Sequence, residues 1–192
     1  MKINLYGYGF VGKAHYSVLS QHYDINIIDP KYPDLEKPNF VPDCSIVCVS
    51  TPQNNDGRCD MSNVLDVFSK IDINTPILIK STISLEGWKD IKLTYPHHSV
   101  NFSPEFLRQD HYLEDFKSLS TLYLSEERAQ WWAKLFNPCW EDVQFVVGRA
   151  DELILVKYFR NSYHAAKVAF FNQVYDLCEA TGISFEEVRH GI

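Results

Sequence analysis

The residues with the clearest chemical meaning are three glycines near the amino terminus. Gly7, Gly9 and Gly12 follow the pattern G-x-G-x-x-G, directly after a strand-like segment and at the start of a helical one. In that setting the first glycine permits a tight turn, the second lets the backbone approach a diphosphate, and the third lets helix and strand pack closely. The diphosphate would lie at a helix N-terminus, on free N–H groups. The predicted dinucleotide-binding residues here are Gly7, Tyr8, Gly9, Phe10, Val11 and Gly12.

An aspartate ends the second strand-like segment. Asp29 stands where an acidic side chain accepts hydrogen bonds from both hydroxyls of an adenosine ribose. An acid there also repels a 2′-phosphate, so we expect NAD rather than NADP as the cofactor. The nearby Lys31, which we also assign to the cofactor site, weakens this preference slightly.

Polar side chains at two other places could carry catalysis. Lys157 and Asn161 are four residues apart, so on a helix they share one face. An ammonium and an amide together can stabilise a developing alkoxide or oxyanion. Glu105 and Thr82 each follow a strand-like segment, where ligands of open α/β sheets bind. Structural alternatives remain open for three of these residues. Lys157 could be a solvated lysine or the ion-pair partner of Glu152, Glu105 could be a structural carboxylate, and Thr82 could simply end a strand.

The order of elements predicts the scaffold that positions these residues. Strands alternate with helices, which predicts an α/β protein with a Rossmann-like, doubly wound and mostly parallel sheet, followed by a long C-terminal helix. The predicted strands are residues 2–6, 25–28, 45–49, 76–79, 100–102, 121–124 and 143–147. The predicted helices between them are residues 10–21, 62–71, 85–93 and 126–136.

Two segments depart from regular alternation. Residues 30–42 hold four prolines, so a loop replaces the crossover helix expected there. Residues 150–181 hold no proline or glycine and predict a helix of about 48 Å. We therefore divide the chain into a dinucleotide-binding domain, 1–149, and a helical part, 150–192. Ser184 and Glu187 form a capping-box pattern, so a further helix starts near Phe185, and its early end suggests truncation.

An apolar stripe runs along the long helix at spacings of three and four, which favours a homodimer formed through it. Its residues are Leu153, Val156, Phe159, Tyr163, Ala166, Phe170, Val174 and Leu177.

Composition limits the remaining function classes. The 25 acidic and 18 basic residues give a net charge of −7, which argues against a nucleic-acid partner. No apolar run is long enough for a bilayer, and no signal peptide opens the chain, so we expect no membrane partner. The five cysteines include no C-x-x-C pair, which favours reduced thiols in the cytoplasm and no metal site.

Four segments, taken together, resemble the UDP-glucose/GDP-mannose dehydrogenase family over residues 2–192. They are Val49-Ser50-Thr51-Pro52, Lys80-Ser81-Thr82-Ile83, the stretch F-S-P-E-F-L-R at residues 102–108, and the K-x-x-x-N pattern of Lys157 and Asn161. The resemblance implies oxidation of a sugar C6 alcohol to a carboxylate with two NAD⁺, on a nucleotide sugar such as UDP-glucose. It also implies a C-terminal domain whose cysteine captures the aldehyde as a thioester.

The resemblance also implies a role for each matched residue. Lys157 and Asn161 stabilise the oxyanion, Glu105 is the acid/base residue of thioester hydrolysis, and Thr82 holds a water or hydroxyl network near the nicotinamide. The further cofactor contacts it implies are Ser50, Thr51, Pro52, Ser81, Thr82 and Gln109. The substrate contacts it implies are Glu105, Phe106, Leu107, Arg108, Lys157 and Asn161.

The chain departs from the family pattern in three respects. The segment around the family's catalytic cysteine is absent, the family's second glutamate is replaced by Gln109, and the loop at residues 30–42 is trimmed. We therefore expect weaker NAD affinity. Three readings remain open: a nucleotide-sugar dehydrogenase truncated before its cysteine domain, a dimeric NAD-binding module without full turnover, and a single-step, cysteine-independent hydroxy-sugar or hydroxyacid oxidoreductase.

Overall fold

Five parallel strands form the central sheet, with the order β2-β1-β3-β4-β5. They are β1 (Lys2–Tyr6), β2 (Asp24–Ile28), β3 (Cys44–Val47), β4 (Ile77–Ile79) and β5 (Val100–Phe102). The computed structural model describes all of residues 1–192 and confirms the predicted Rossmann-like α/β fold. The strands are apolar and buried along most of their length because helices cover both faces of the sheet.

The strand order reverses at β1, because β2 pairs with one of its edges and β3 with the other. In an open parallel sheet, ligands bind outside the carboxyl ends of the strands at such a switch point. The glycine-rich segment follows β1 directly, and residues 49–52 follow β3. The topology therefore brings these two predicted cofactor segments to the same edge of the sheet.

The two last strands form a separate sheet instead of extending the first. β6 (Thr121–Ser125) and β7 (Gln144–Gly148) pair in parallel with each other. Beside β5, the backbone N–H of Phe102 donates to Oγ of Ser125 at 2.9 Å, and the amide of Asn101 donates to the Ser125 carbonyl at 2.8 Å. A serine side chain thus occupies the position that a continuing strand would need, and the main sheet ends at β5.

Seven α-helices accompany the strands. They are α1 (Phe10–Leu19), α2 (Ser62–Phe68), α3 (Leu85–Thr94), α4 (Tyr112–Lys117), α5 (Ala129–Phe136), α6 (Ala150–Thr181) and α7 (Phe185–Gly191). Sequence patterns did not predict α4, which is only one and a half turns long. They placed the start of α5 too early, at residue 126, because Arg128 has a left-handed backbone (φ +51°) that the helix cannot include.

The proline-rich segment is a loop, as predicted, with one short 3₁₀ turn at Pro33–Leu35. A polar ladder fastens it to the sheet. The backbone N–H of Lys37 donates to Oδ1 of Asn26 at 2.6 Å, and the Asn26 amide donates to Asn4 at 2.9 Å. Both asparagines are buried. One backbone hydrogen bond to a buried side chain therefore anchors the connection that lacks a helix.

Contacts divide the chain into two units, Met1–Leu155 and Val156–Ile192. The second unit contains most of α6 and all of α7. Gly182 ends α6 in a left-handed conformation (φ +69°), and the side chain of Ser184 caps α7 by accepting from the Glu187 N–H. The predicted long helix and the predicted start of the next helix are both confirmed. No helix of the chain has the length and apolar character needed to cross a membrane.

Candidate functional site

The glycine-rich turn has the geometry that a dinucleotide requires. Gly7 has a φ of +88°, and a Cβ there would lie 2.7 Å from the Cys48 carbonyl oxygen. A Cβ on Gly12 would lie 2.0 Å from the Gly7 oxygen, whereas one on Gly9 would meet nothing within 4 Å. The first and third glycines are therefore required by packing. The open space at the second leaves the backbone accessible to a ligand.

Helix α1 begins at this turn without a side-chain cap. Its first backbone hydrogen bond runs from the Lys13 N–H to the Gly9 carbonyl, so the N–H groups of the preceding turn have no partner within the helix. These N–H groups and the positive end of the helix dipole suit a diphosphate. The predicted positions Phe10 and Val11 lie in this first turn.

Asp29 joins the end of β2 to the glycine-rich turn. Its Oδ2 accepts the Tyr8 N–H at 2.6 Å, and its Oδ1 accepts the Lys31 N–H at 2.8 Å. A carboxylate oxygen can accept more than one hydrogen bond, so these contacts leave capacity for ribose hydroxyls. The structure thus brings together Tyr8, Asp29 and Lys31, three of the predicted cofactor residues.

Two tyrosine rings and a lysine lie beside Asp29. The rings of Tyr8 and Tyr32 meet edge to face with centroids 5.4 Å apart, and Nζ of Lys13 lies 5.7 Å and 5.5 Å from their centroids. Tyr32 and Lys13 were not predicted to belong to the site. Neither belongs to a motif, and they meet only because the loop after β2 folds back over α1.

Hydroxyl-bearing residues follow β3 and β4. The Thr51 hydroxyl donates to the Thr82 carbonyl at 2.6 Å, and the Ser81 hydroxyl donates to the Val49 carbonyl at 2.7 Å. Ser50 accepts a hydrogen bond from the Asn63 amide at 3.0 Å through its carbonyl. These bonds fasten two adjacent loops at the carboxyl edge of the sheet. Pro52 is exposed in the first of these loops.

Glu105 lies in a buried cluster of ionisable side chains. Its Oε2 is 3.2 Å from Nζ of Lys80 and 3.8 Å from Nε2 of His15, while its Oε1 accepts the Phe106 N–H at 3.0 Å. Lys80 also donates to Oγ of Ser103 at 2.9 Å. The side chains of His15 and Lys80 are fully buried and that of Glu105 is 7% exposed. Carboxylate, ammonium and imidazole thus meet in one buried cluster.

Burial and charge act in opposite directions on Glu105. Burial raises the pKa of its carboxyl, but the charge of Lys80, followed by His15, brings the pKa below its usual value. Burial, with the charge of Lys80, lowers the pKa of His15 to about 4. At neutral pH the cluster therefore holds an ionised carboxylate beside a neutral imidazole. The ionised carboxylate is the form that can accept a proton, and its lowered pKa makes it a weaker base than an ordinary glutamate.

Sequence reasoning assigned a role to Glu105 but not to Lys80 or His15. In the sequence, Lys80 is simply the first residue of the segment that contains Thr82. Its place directly after the apolar strand β4 is the one sequence feature that could have drawn attention to it, since a lysine is rarely buried unless it is paired. His15 gave no signal beyond a position on the apolar side of α1.

The residues after Glu105 have partners of their own. Arg108 forms a forked ion pair with Asp115, at 2.6 Å from Nη2 to Oδ1, and this pair lowers the pKa of Asp115 to about 2. The Phe106 ring packs against Tyr123, and Leu107 packs against the cluster around Phe116. Gln109 begins an exposed 3₁₀ turn. The predicted substrate roles of Phe106, Leu107 and Arg108, and the cofactor role of Gln109, stay predictions.

Lys157 and Asn161 lie on α6, in the second unit. They are one turn apart and share a helix face, as predicted. Their role as an oxyanion-stabilising pair stays a prediction.

Two family models match this sequence. The model of the NAD binding domain of the UDP-glucose/GDP-mannose dehydrogenase family matches residues 32–129, and the model of the central domain of that family matches residues 152–192. The two matches follow one another along the chain in the order of the two structural units.

Two curated members of the same family are similar to this chain in sequence. UDP-glucose 6-dehydrogenase of Rickettsia felis is 31% identical over 158 residues, or 76% of this chain and 35% of the relative. That of Rhizobium meliloti is 31% identical over 178 residues, or 83% and 40%. The chain thus spans well under half the length of these two relatives.

Solved structures extend the likeness in fold to nearly the whole chain. GDP-mannose dehydrogenase from Pseudomonas aeruginosa superimposes with a TM-score of 0.84 at 18% identity, over 99% of this chain and 56% of that one. A UDP-glucose dehydrogenase from Pyrobaculum islandicum gives 0.81 at 21% identity, with the same coverage. At such identities the likeness shows the fold alone.

Proposed function

The chain belongs to the UDP-glucose/GDP-mannose dehydrogenase family, and we propose that it forms the NAD-binding half of an oxidoreductase that converts the C6 alcohol of a UDP-activated hexose into a carboxylate. The observation that carries the proposal is the buried, ionised Glu105, which follows β5 and lies 3.8 Å from His15 of α1, the helix that begins at the glycine-rich turn. A dinucleotide fold needs no enclosed carboxylate merely to bind its cofactor, whereas hydrolysis of an acyl intermediate needs a base.

The cofactor half of the proposal rests on the edge of the sheet at β1, β2 and β3. The uncapped start of α1 would hold the diphosphate, Asp29 the adenosine ribose, and the loops of Thr51 and Thr82 the nicotinamide side. Bound NAD⁺ would supply the acceptor for the hydride that leaves C6. Two such transfers remove the four electrons that separate a primary alcohol from a carboxylate.

The substrate part of the proposal rests on charged and polar side chains that would stabilise the reacting groups. The ammonium of Lys157 and the amide of Asn161 would stabilise the oxyanion that develops at C6, since donors placed at a developing charge lower the barrier. Glu105 would accept a proton from the water that hydrolyses the acyl intermediate. Thr82 would order that water. The family's acyl intermediate is a cysteine thioester. The thiols of the buried Cys44 and the partly buried Cys48, whose pKa values burial raises, are unsuited to form it.

A homodimer through α6 is part of the proposal. Within the second unit, apolar side chains of this helix are exposed, among them Phe159 at 68%, Tyr163 at 66% and Phe170 at 52%. A run of large apolar side chains along one helix suits burial against a second copy.

The experiment that tests the function is a titration of the purified chain with NAD⁺ and then UDP-glucose by calorimetry, with absorbance followed at 340 nm. NADH formation that Glu105→Gln slows supports the proposal, and four electrons per sugar distinguish it from a single-step oxidation. NAD⁺ binding with flat absorbance would instead indicate a cofactor-binding module or an incomplete enzyme. Absence of NAD⁺ binding would overturn the cofactor assignment.

A further inference from the structure

A histidine that belongs to no motif faces the proposed base. His15 lies in the second turn of α1, and its side chain is fully buried. Its Nδ1 is 2.9 Å from the Val11 carbonyl oxygen, and its Nε2 is 3.8 Å from Oε2 of Glu105. The Phe116 ring packs against the imidazole, with centroids 4.3 Å apart. The ring is therefore fixed between its own helix and Glu105.

These contacts determine the position of the imidazole proton. A carbonyl oxygen can only accept a hydrogen bond, so Nδ1 carries the hydrogen. In the neutral ring, Nε2 then presents a lone pair, and no donor within hydrogen-bonding distance satisfies it. A buried acceptor without a donor is uncommon and calls for an explanation.

The distance between Nε2 and Oε2 limits what can lie between them. A direct hydrogen bond would bring the two atoms to about 2.8 Å, only about 1 Å closer than they are. A water bonded to both atoms would need about 4.4 Å, from two bonds of about 2.8 Å at the angle of a water molecule. The observed 3.8 Å is too short for that water. The gap therefore holds no bridging water, and a shift of about 1 Å would bring the two atoms into a direct hydrogen bond.

Lys80, Cys48 and two phenylalanine rings are among the groups that face the pair. Lys80, directly after β4, faces Glu105. The thiol of Cys48, after β3, interacts electrostatically with Lys80 and Glu105. From α4 and α5 the imidazole meets only the rings of Phe116 and Phe136, which do not titrate. Burial of His15 keeps its pKa low, near 4, so the imidazole is neutral and able to accept at neutral pH.

We propose that His15 is a positioning residue for Glu105, whose Nε2 accepts a hydrogen bond from Oε2 whenever Glu105 takes up a proton. This rests on the proposed function, in which Glu105 accepts a proton and returns it. When Glu105 is ionised, Lys80 is its partner. When it is protonated, His15 receives the new O–H, so the carboxyl keeps its place in both states. The neutral imidazole of His15 thereby raises the proton affinity of Glu105, whereas a charged imidazole lowers the pKa of the carboxyl.

The experiment measures the pKa of Glu105 with and without His15, in the whole chain. Lys80→Met removes the cation that lowers this pKa, and so brings protonation of Glu105 into the pH range where proteins of this kind stay folded. The chain is labelled with ¹³C at the glutamate carboxyl, and Glu105→Gln assigns the signal. Titration between pH 5 and pH 8 then compares Lys80→Met with Lys80→Met/His15→Phe.

A hydrogen bond from the protonated carboxyl favours the protonated form, so its loss must lower the pKa. We expect His15→Phe to lower the pKa of Glu105 by roughly 0.5 to 1, a three- to tenfold loss of proton affinity. A merely structural histidine predicts no change, or a rise, because a phenyl ring is less polar than an imidazole and burial raises the pKa of a carboxyl. An unchanged or raised pKa overturns the proposal.

Two further variants complete the experiment. His22→Phe makes the same change on an exposed histidine just after α1 and should leave the pKa of Glu105 unchanged. His15→Gln keeps an oxygen that can accept from the carboxyl, so it should retain most of the effect. Should His15→Phe fail to fold, His15→Leu provides the same comparison. The titration uses neither cofactor nor sugar, so a His15 effect in a chain that never forms NADH would overturn the proposed function alone.

Discussion

Nζ of Lys80 lies 3.2 Å from Oε2 of Glu105, and neither side chain is more than 7% exposed. The two residues come from the ends of neighbouring strands, β4 and β5, so the parallel register sets this distance. Two opposite charges buried together depend on each other, because removal of one leaves the other without compensation. The pair therefore ties the stability of the sheet edge to the ionisation of the proposed base.

Loss of Lys80 should lower the free energy of unfolding by an amount that depends on pH. Without the cation, burial raises the pKa of Glu105 above its unfolded value, so the folded chain binds the extra proton and its stability falls as pH rises. We expect Lys80→Met to lower the free energy of unfolding by about 3 kcal/mol at pH 8 and by less at pH 5.5. Urea unfolding at the two pH values measures this. Lys70→Met, in an exposed pair with Asp66, should cost less than about 1 kcal/mol at either pH.

His15 should make the chain sensitive to mild acid. Its pKa is about 4 in the folded chain, against the ordinary histidine value of 6.5 that applies when the chain is unfolded, so between these values the unfolded chain binds more protons. Stability should therefore fall as pH decreases through this window, by about 2 kcal/mol from pH 7 to pH 5. Urea unfolding of His15→Phe should show most of this dependence gone, whereas His22→Phe should keep it. Equal slopes in all three chains would contradict a neutral, buried His15.

The three glycines of the turn should respond differently to alanine. Gly12→Ala places a Cβ 2.0 Å from the Gly7 oxygen and should destabilise the fold, which thermal unfolding measures. Gly9→Ala enters open space at φ −73°, so its thermal stability should stay close to that of the original chain. We expect it to weaken NAD⁺ binding at least tenfold by calorimetry, because the Cβ occupies the approach of the diphosphate. Unchanged affinity would place the diphosphate elsewhere.

The exposed apolar face of α6 should control assembly. Phe159→Glu and Phe170→Glu place charges on that face, and we expect each to shift a dimer towards monomer in sedimentation velocity at micromolar concentration. Leu93→Glu makes a similar change at a 78% exposed position of α3 and should leave the oligomeric state unchanged. A monomeric original chain would contradict the dimer directly.

Features set by neighbouring residues were the ones the sequence predicted best. The glycine-rich turn, the long α6 and the cap of α7 each follow from a few adjacent residues, and the structure has them where predicted. The short α4 lacked the length for a recognisable period. The separation of β6 and β7 from the main sheet was also missed, since it depends on the side chain of Ser125.

The buried cluster shows the limit of reading along the chain. His15, Lys80 and Glu105 come from three separate segments, and only the strand order brings them together. Glu105 was identified because it follows a strand and because a family pattern contains it. Its two partners carry no pattern, so their importance became visible only as distances between atoms.

Ser125, beside which the main sheet ends at β5, also affects how the protein behaves at high concentration. An unpaired edge strand can recruit a strand from another molecule and start aggregation. At β5 the Phe102 N–H is already bonded to Ser125, and Asn101 is held between Ser125 and Nε1 of Trp132. Ser125 thus protects the edge from adding a foreign strand. A Ser125→Val chain would leave the Phe102 N–H without this partner, and its tendency to form fibrils would measure how much one hydroxyl contributes to keeping molecules apart.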